Sequence, residues 1–320
     1  MEKKDLMQAL QQGVKDVFNS ARWKQYLAFC AKFHNYSHSN IMLILLQRPN
    51  ATRVAGFNTW RNTFGRTVNK GEKGITILAP MPYKVEHEKS DGERTTETKL
   101  RFQAVYVFDV SQTSGRELPR PIDELGASVA GYVGTLNVLR EISPFPVEIR
   151  EIEGGAKGYC NFTNQTIYVR SGMSEAQTVK TLIHEIAHAG LHDRRSRDGQ
   201  DKSAVDRRTA EVEAESIAFV VCNYLGIDSS DYTFGYIAGW SSGKETPELT
   251  RSLATIQQHA QKIIEDIGRV QERVRVSQNT QSVPHVTAPI DDPSPTRHLS
   301  NATVDIRGKT RRAKQTSVER

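Results

Sequence analysis

The sequence predicts an α+β fold in which helices and small sheets form successive blocks along the chain. Apolar residues recur at helical spacing near the start, at Leu6, Leu10 and Val14. Residues 74–86 and 100–110 are instead rich in β-branched and aromatic residues, which is typical of paired strands. Apolar residues at helical spacing recur later in the chain. Together these blocks indicate N-terminal helices packed on a small antiparallel sheet, followed by a second α+β part.

The N-terminal part, residues 1–116, is expected to combine helices with a long hairpin. After the first helix, helical patterns cover residues 22–33 and 39–47, and Pro49 ends the latter. The polar stretch at residues 87–99 predicts a long hairpin loop between the two strands. The turn-rich segment "SQTSGRELPRP" that follows the second strand predicts a linker.

The C-terminal part, residues 121–275, is expected to place helices around three short strands. Its predicted elements are a helix at 123–142, strands at 147–151, 158–162 and 166–169, a helix starting after Ser174, and helices at 204–225 and 247–275. Ser174 and Gln177 form a capping-box pattern, and Gly226 is a good C-cap. Residues 277–320 lack periodicity and are dense in Pro, Ser, Thr, Asp and Arg, so we expect a disordered tail.

Composition is that of a soluble globular protein. Of its 320 residues 37% are apolar and 25% charged, and no run of about 18 apolar residues exists for a bilayer span. The start of the chain lacks the short apolar segment of a secretion signal. Cys30, Cys160 and Cys222 are far apart, which favours reduced core thiols over a disulfide framework. We therefore expect a cytoplasmic protein with no membrane partner.

Positive charge is concentrated in the N-terminal part. Between Ser20 and Lys84 there are ten basic residues and one acid, Glu72, whereas residues 121–320 carry slightly more acids than bases. Such asymmetry favours a polyanionic partner. Aromatic residues are interleaved with these cations: Tyr36, Phe57, Trp60, Phe64 and Tyr83. Cations for phosphates and flat rings for unpaired bases are what single-stranded DNA requires.

Six residues are the candidate DNA contacts. The predicted phosphate contacts are Arg53, Arg61, Arg66, Lys70 and Lys73, and the predicted stacking ring is Trp60. Lys70 and Lys73 lie in a turn whose glycines would let phosphates approach the backbone. Core packing is an equal alternative for Trp60, and we expect Phe57 and Phe64 to belong to the core.

The segment "TLIHEIAHAGLHD" at residues 181–193 carries the pattern HExxH inside an apolar stretch. On a helix, His184 and His188 lie about one turn apart on one face, so both imidazoles can reach a single zinc ion. Glu185 is then held where it can act as general base on a water molecule. Burying this charged trio without a metal would be unfavourable. The pattern therefore predicts a metallopeptidase site rather than a core helix with incidental histidines.

A third ligand is expected from the helix "TAEVEAESIAFVVCNYLG". Glu211 and Glu215 share its inward face, whereas Glu213 lies about 200° around the helix from Glu211. We predict Glu211 as the ligand, with Glu215 as either a partner of a ligating histidine or the alternative ligand. His192 is about 12 Å along the helix from His184, too far to share one metal ion with it. It is expected to support a ligand or to line the cleft.

Two further features bear on catalysis. A tyrosine often stabilises the oxyanion in such sites, and Tyr224, Tyr232 and Tyr236 are all candidates. The strand predicted at residues 158–162 is expected to be an edge strand, which could pair with an extended substrate peptide.

The motifs together resemble a known family. Residues 22–119, with "YSHSNIMLILLQRP", "VAGFNTWRNTFGRTVNKGEKGITILAP" and "YVFDVSQTSG", resemble the N-terminal single-stranded-DNA-binding domain of ArdC-type antirestriction proteins of conjugative plasmids and transposons. "TLIHEIAHAGLH" and "EVEAESIAFVVCNYLGID" resemble the zincin-like C-terminal domain of that family, akin to SprT-like and ImmA/IrrE-type metallopeptidases. In those peptidases a pattern Glu-x-x-Ala-Asn supplies the third ligand. It falls on Glu211 and Ala214 here, with Glu215 in place of Asn.

The resemblance implies a protein of a mobile element that coats entering single strands, with a Zn²⁺ peptidase that cleaves proteins met on that DNA. It does not identify the protein substrate. One alternative is a regulatory ImmA-like peptidase that cleaves a repressor without needing DNA. Another is a non-enzymatic DNA shield whose zinc is structural.

Overall fold

The computed structural model describes residues 3–88, 94–118, 129–193, 205–227, 232 and 234–281. Helices and three small sheets make up these residues, which confirms the expected α+β class. The described residues up to Ser277 form one compact unit. Most of the predicted tail, and the predicted linker from residue 119 on, lie outside the described residues. Within the described part of the chain no helix is long and apolar enough to cross a membrane.

Three helices open the chain. They are α1 (Lys3–Asp16), α2 (Ser20–Lys32) and α3 (His38–Gln47). Asn19 and Ser37 cap the second and third helices, because their side chains accept hydrogen bonds from the backbone N–H of Arg22 and Asn40. The buried faces of α2 and α3 are nearly all apolar, and Trp23 is fully buried at their centre.

A long hairpin follows these helices. The elements are β1 (Val54–Gly56), α4 (Phe57–Asn62), β2 (Arg66–Val68), β3 (Ile75–Glu88), β4 (Arg94–Asp109), a 3-10 helix (Val110–Gln112) and β5 (Thr113–Gly115). The antiparallel sheets have the orders β1-β4-β3 and β2-β5. The loop predicted at residues 87–99 is wrong over most of its length, since Glu88 already pairs with Arg94. The residues there are mostly polar, and the two strands pair through their backbones.

Side chains of α3 close the free edge of β3. Asn40 donates to the carbonyl of Leu78 and accepts from its N–H, both at 2.9 Å. Gln47 does the same at Thr76, at 2.8 and 2.9 Å. These amides occupy the positions that a further strand would take, so the helical layer is fixed to the hairpin by hydrogen bonds as well as by packing.

The C-terminal part begins with α5 (Val129–Ile142) and a second small sheet. Its strands are β6 (Val147–Arg150), β7 (Gly158–Asn161) and β8 (Thr166–Arg170). The order is β6-β8-β7, with β6 parallel and β7 antiparallel to β8, so β7 is an edge strand, as the sequence predicts. Gln165 adopts a positive φ of 52° in the turn before β8.

Four helices complete the described chain: α6 (Glu175–Leu191), α7 (Arg207–Tyr224), α8 (Ile237–Ser241) and α9 (Thr246–Gln281). Ser174 caps α6, because its side chain accepts from the backbone N–H of Gln177, but the Gln177 side chain donates to Thr181 and does not complete the predicted capping box. α7 begins after Asp206, which caps it through Thr209. Gly226 follows its end with φ 69°, as expected of a C-cap glycine.

Helix α7 lies between α6 on one side and α2 on the other. On the α2 side, the Lys24 ammonium lies 5.9 Å from the ring centroid of Phe219. Ser20 donates to the carbonyl of Phe234 at 3.0 Å, and Phe18 packs on Trp240 with ring centroids 5.6 Å apart. The N-terminal helices thus pack against α7, the helix that faces the HExxH segment of α6.

Candidate metal centre

Helix α6 presents the two histidines of HExxH side by side. The Nε2 atoms of His184 and His188 lie 3.0 Å apart, and the two side chains are 18% and 14% exposed. Leu182, Ile183 and Ile186 are buried around them, as the apolar stretch around HExxH predicts. The helix geometry thereby aims both imidazoles at one point.

Glu211 of α7 completes a triad with these histidines. Its Oε2 atom lies 3.6 Å from His184 Nε2 and 3.7 Å from His188 Nε2. Among the described residues, His184, His188 and Glu211 form the one group of three side chains that could hold a metal ion. A tetrahedral zinc ion with bonds near 2.0–2.1 Å would separate its ligand atoms by about 3.3 Å. The observed separations of 3.0 to 3.7 Å bracket this value, so the residues fit the ion.

Glu215 lies behind the triad instead of in it. Its Oε2 atom is 3.3 Å from His184 Nδ1, the nitrogen that faces away from the triad. This is an ion-pair separation without hydrogen-bond alignment, because His184 Nδ1 has no hydrogen-bond partner in the structure. Lys180 lies 3.7 Å from the other oxygen of Glu215. Of the two glutamates that the sequence leaves open, Glu211 therefore has the position of a ligand, and Glu215 that of a partner of a ligating histidine.

The carboxylates give the centre a strong preference for a cation. Burial opposes protonation of His184, but the carboxylates of Glu211, Glu215 and Glu185 outweigh it and raise its pKa to about 9. The reciprocal contacts with His184 and His188 hold the pKa of Glu211 far below its usual range, although burial acts in the opposite direction. A site that holds a proton this tightly offers a divalent cation two imidazoles and a carboxylate once the proton leaves.

Glu185 lies in the wall between α6 and the edge strand β7. It is 6% exposed and lies beside the backbone N–H of Cys160. Burial raises the pKa of Glu185, and the neighbouring His184 and His188 limit the increase. A carboxylate with a raised pKa is better matched to taking and returning a proton near neutral pH.

Two residues of the centre were not recognised as a pair in the sequence, His192 and Glu213. His188 Nδ1 lies 2.9 Å from His192 Nδ1, and His192 Nε2 lies 3.4 Å from Glu213 Oε2. Glu213 is only 4% exposed, although its helical angle placed it away from Glu211. The available signal was the run "IAFVVC" at residues 217–222, which is apolar all around the axis of α7 and indicates that this part of the helix is buried on every side.

The three tyrosine candidates occupy different environments. Tyr224 is 40% exposed and its ring lies 5.2 Å from that of His34. Tyr232 is 3% exposed, and its hydroxyl contacts Cys222 Sγ at 3.9 Å. Tyr236 is 40% exposed. Burial of its hydroxyl raises its pKa, and the negative charges of Glu215 and Glu211 raise it further. Tyr236 thus combines an exposed ring with a hydroxyl whose pKa responds to both Glu215 and Glu211.

The predicted stacking role of Trp60 does not fit its position. The side chain is 1% exposed, its Nε1–H donates to the carbonyl of Phe108 at 2.8 Å, and its ring packs against Phe64. It anchors α4 to β4 and offers no ring face to a base. The expectation for Phe57 and Phe64 is also wrong, since they are 47% and 37% exposed.

The five predicted phosphate contacts divide by environment. Arg61, Lys70 and Lys73 are exposed. The Arg66 guanidinium is engaged by the chain itself, donating to Thr113 and to the carbonyl of Arg116. Arg53 is half-buried and lines a cavity of about 530 Å³ together with Lys32 and Arg66.

Hydrogen bonds from a buried side chain hold the turn that carries Lys70 and Lys73. Gln112 is fully buried and donates to Glu72 and to the carbonyl of Lys73, both at 2.8 Å. Gly71 in this turn has φ 89°, which glycine adopts without strain. The two ammonium groups therefore project from a backbone whose shape is set by the core.

Exposed rings on β4 were missed by the sequence analysis. Phe102 and Tyr106 are 53% and 58% exposed, and Leu100 is 63% exposed. They share one face of the strand because side chains alternate with period two. Residues 104–108 are apolar on both faces, which is the signal that one face lacks a covering element.

Comparison with known families matches the two parts of the chain to two models. Residues 3–108 match the N-terminal domain of anti-restriction factor ArdC. Residues 145–225, which contain β6 to β8, α6 and α7, match the IrrE N-terminal-like domain, a peptidase family. The second match contains all the residues of the triad.

Similar proteins cover the chain more widely. An uncharacterised protein of Bacillus anthracis is 27% identical over 309 residues, 84% of this chain and 51% of that protein, so the chain spans about half the length of this relative. The metal-free crystal structure of the antirestriction ArdC protein from the R388 plasmid is 21% identical, with a TM-score of 0.45, and covers 73% of this chain and 86% of that one. Its Mn(II)-bound structure is 20% identical, with a TM-score of 0.46, and covers 73% and 84%. The chain thus joins a part that is similar to the N-terminal domain of ArdC to a part that is similar to the IrrE N-terminal-like peptidase domain.

Proposed function

We propose that this chain is a cytoplasmic antirestriction-type protein of a mobile genetic element, which binds single-stranded DNA and carries a zinc-dependent metallopeptidase site. The observation that carries the peptidase half is the triad His184, His188 and Glu211 with Glu185 beside it. The match to the IrrE-like peptidase domain supports the same reading. The proposed substrates are proteins met on the DNA.

The chain's own residues account for the steps of peptide hydrolysis. A zinc ion bound by the triad supplies Lewis-acid chemistry. Glu185 takes a proton from the attacking water and returns it to the leaving amine. The Tyr236 hydroxyl donates a hydrogen bond to the oxyanion that develops on the scissile carbonyl. The exposed edge of β7 pairs with the extended substrate backbone.

Substitution of Glu185 by Gln tests the peptidase half. Wild type and variant are compared for zinc content, for self-cleavage and for cleavage of an unfolded protein, each with and without single-stranded DNA. We expect unchanged zinc content and cleavage that is slower by about 10²- to 10⁴-fold, the usual contribution of general acid–base catalysis. Equal cleavage by both proteins would refute the catalytic role. Cleavage by wild type that ignores DNA would favour the regulatory peptidase instead.

The DNA half rests on cations and rings that the structure leaves exposed. Arg61, Lys70 and Lys73 supply positive charge, and the turn that holds the two lysines is rigid. Tyr106 lies next to this turn, since a Cβ atom on Gly74 would lie 2.9 Å from Tyr106 Cβ. Exposed rings beside cations favour single strands, because only unpaired bases have free faces on which to stack.

Fluorescence anisotropy with labelled single- and double-stranded oligonucleotides tests this half. Replacing Lys70 and Lys73 by Ala should lower the slope of log K against log salt by about 1.4 for single strands, at about 0.7 per lost phosphate contact. Tyr106→Ala should weaken binding by about 1 to 3 kcal/mol, whereas Tyr106→Phe keeps the ring and should not. The matched control is Lys262→Ala, an exposed lysine of α9. Equal binding of both kinds of oligonucleotide would contradict single-strand specificity.

A further inference from the structure

Helix α7 carries three glutamates within five residues, and the metal centre described above uses two of them. Glu211 faces the triad and Glu215 faces His184. Glu213 is the most buried of the three, with a side chain 5% exposed against 52% for Glu211 and 27% for Glu215. Burying a carboxylate is unfavourable unless a partner compensates for its lost hydration. For Glu213 that partner is His192.

That contact continues to a ligand of the metal centre. Glu213 Oε2 lies 3.4 Å from His192 Nε2, and His192 Nδ1 lies 2.9 Å from His188 Nδ1. His192 caps the end of α6, and its backbone N–H donates to the carbonyl of His188, which holds the two rings one turn apart. A carboxylate, an imidazole and a ligating imidazole thus form an unbroken line across two helices.

The chemistry of the line allows a single useful arrangement of protons. A carboxylate only accepts hydrogen bonds, so the proton of neutral His192 must lie on Nε2, where it points at Glu213. His192 Nδ1 is then an acceptor and requires a proton on His188 Nδ1. That leaves the lone pair of His188 on Nε2, the atom that faces His184 and Glu211. In the reverse arrangement a proton would occupy His188 Nε2 and block it as a ligand.

We propose that Glu213 and His192 are positioning residues that fix the tautomer and the ring orientation of His188 for metal binding. The inference rests on the proposed metallopeptidase function. His184 has a carboxylate directly behind it in Glu215, whereas His188 reaches its carboxylate through a second imidazole. Such partners of ligating histidines typically contribute 10- to 100-fold in metal affinity.

The test measures zinc affinity of the full chain by competition with a chromophoric chelator, without reference to catalysis. The variants are His192→Gln, Glu213→Gln and the double substitution, which change volume little. We expect each single variant to bind zinc 10- to 100-fold more weakly. The double variant should be no weaker than the weaker single variant, because both residues act through His188 as one unit. Visible absorption of the Co²⁺-loaded proteins should show an altered coordination in all three.

The control is Thr178→Val, which removes a buried hydroxyl from the same helix α6. Thr178 is 3% exposed and donates to the carbonyl of Ser174. This variant should lose stability but keep the wild-type zinc affinity and Co²⁺ spectrum. Thermal unfolding of the metal-free proteins checks that all of them fold, and if His192→Gln does not, Glu213→Gln alone decides.

Two results would overturn the proposal and leave the metal centre intact: wild-type zinc affinity in the single variants, or losses that multiply in the double variant as for two independent sites. A wild-type protein that binds no zinc would instead overturn the proposed function together with this inference.

Discussion

Gly158 sets the distance between the edge strand β7 and helix α6 at the metal centre. A Cβ atom at this position would lie 2.6 Å from Thr181 Cγ2, 2.9 Å from the carbonyl oxygen of Tyr168 and 3.3 Å from Glu185 Cγ. The carbonyl belongs to β8, the neighbour of β7 in the sheet, and cannot shift without disturbing the pairing. Glycine is therefore required for the close approach that brings Cys160 N–H to Glu185.

Gly158→Ala should lower the free energy of unfolding by about 1 to 3 kcal/mol, because the added methyl group forces the strand away from the helix. Chemical unfolding monitored by circular dichroism measures the change. The same shift should separate Glu185 from the backbone N–H of Cys160 and slow the proposed proteolysis. Gly155→Ala is the control, since a Cβ atom at Gly155 meets nothing within 4 Å. Equal stability of the two variants would contradict this account.

Asp109 is the buried acid that joins the strand β4 to the segment before β1. Its Oδ2 accepts from the backbone N–H of Thr52 and Arg53 at 2.8 and 3.1 Å, and its Oδ1 accepts from Ser111 N–H and Oγ. Burial alone would raise the pKa of Asp109, but these hydrogen bonds outweigh it and the pKa is lowered. The ionised form therefore stabilises the fold.

Asp109→Asn should cost about 1 to 3 kcal/mol of unfolding free energy at pH 7, because an amide NH₂ then faces an N–H donor. A lowered folded-state pKa contributes stability that is present above the unfolded value of about 3.9 and is lost as pH falls through the folded value. The difference between wild type and variant should thus be constant from pH 7 to 5 and shrink below about pH 4. Unfolding curves across this range measure it. The exposed Glu148→Gln serves as control, and a difference that grows in acid would contradict the prediction.

At the scale of elements, α7 determines which carboxylate lies where it could bind a metal ion. Glu211 Oε2 approaches both ligating nitrogens, whereas Glu215 approaches the far nitrogen of one ring and Lys180. Because one turn of helix separates them, both carboxylates lie on the α6 side of α7 but at different depths.

Zinc affinity should distinguish the two glutamates. Glu211→Gln removes a charged ligand and should weaken binding by more than the 10- to 100-fold loss typical of a ligand's hydrogen-bonding partner. Glu215→Gln should lose only that amount. Chelator competition gives both constants, with Glu175→Gln, an exposed acid at the start of α6, as control. A larger loss for Glu215→Gln would show that the ligand assignment is inverted.

The elements differ in how far the sequence predicts them. The start of α6 is predictable because its cap, Ser174 with Gln177, is a local signal. The extension of the hairpin to Glu88 and Arg94 is not, because exposed polar strands lack an apolar face and owe their pairing to the partner strand. The burial of Trp60 depends on Phe108, 48 residues away, and such a contact leaves no local pattern.

The candidate site follows the same division. His184, His188 and Glu185 are fixed by a spacing within one helix, and the helical face of α7 selects Glu211 for the third position. The sequence did not predict the role of Glu213, because the angular position of a residue around a helix shows only whether it faces one particular neighbour. α7 has neighbours on more than one side, so a residue opposite the ligand is not automatically in water.

At the scale of the whole molecule, the N-terminal helices and the metal centre share a core. Phe18 is 5% exposed and packs between Trp23 and Trp240, with ring centroids 5.0 and 5.6 Å away. Gln257 of α9 donates to the carbonyl of His34 at 2.9 Å. These contacts join residues matched by the ArdC model to helices that follow the peptidase match.

Phe18→Ala should lower the unfolding free energy by about 3 to 5 kcal/mol, as truncation of a buried aromatic ring does. Unfolding should remain a single transition, coincident by tryptophan fluorescence and by circular dichroism. Two separate transitions in the variant or in wild type would contradict a shared core. The exposed Val133→Ala on α5 should change stability by less than about 0.5 kcal/mol.

The position of α7 between α2 and α6 also bears on how such genes evolve. A fragment that encoded only one side would expose an apolar helix surface, and cells degrade chains of that kind. Recombination that exchanged one half of the gene would have to preserve the packing around Lys24 and Phe219. Compatible N-terminal and C-terminal halves should therefore be inherited together. Copies of the chain that lose Glu185 could still persist, because the packing of α7 against α2 does not depend on that residue.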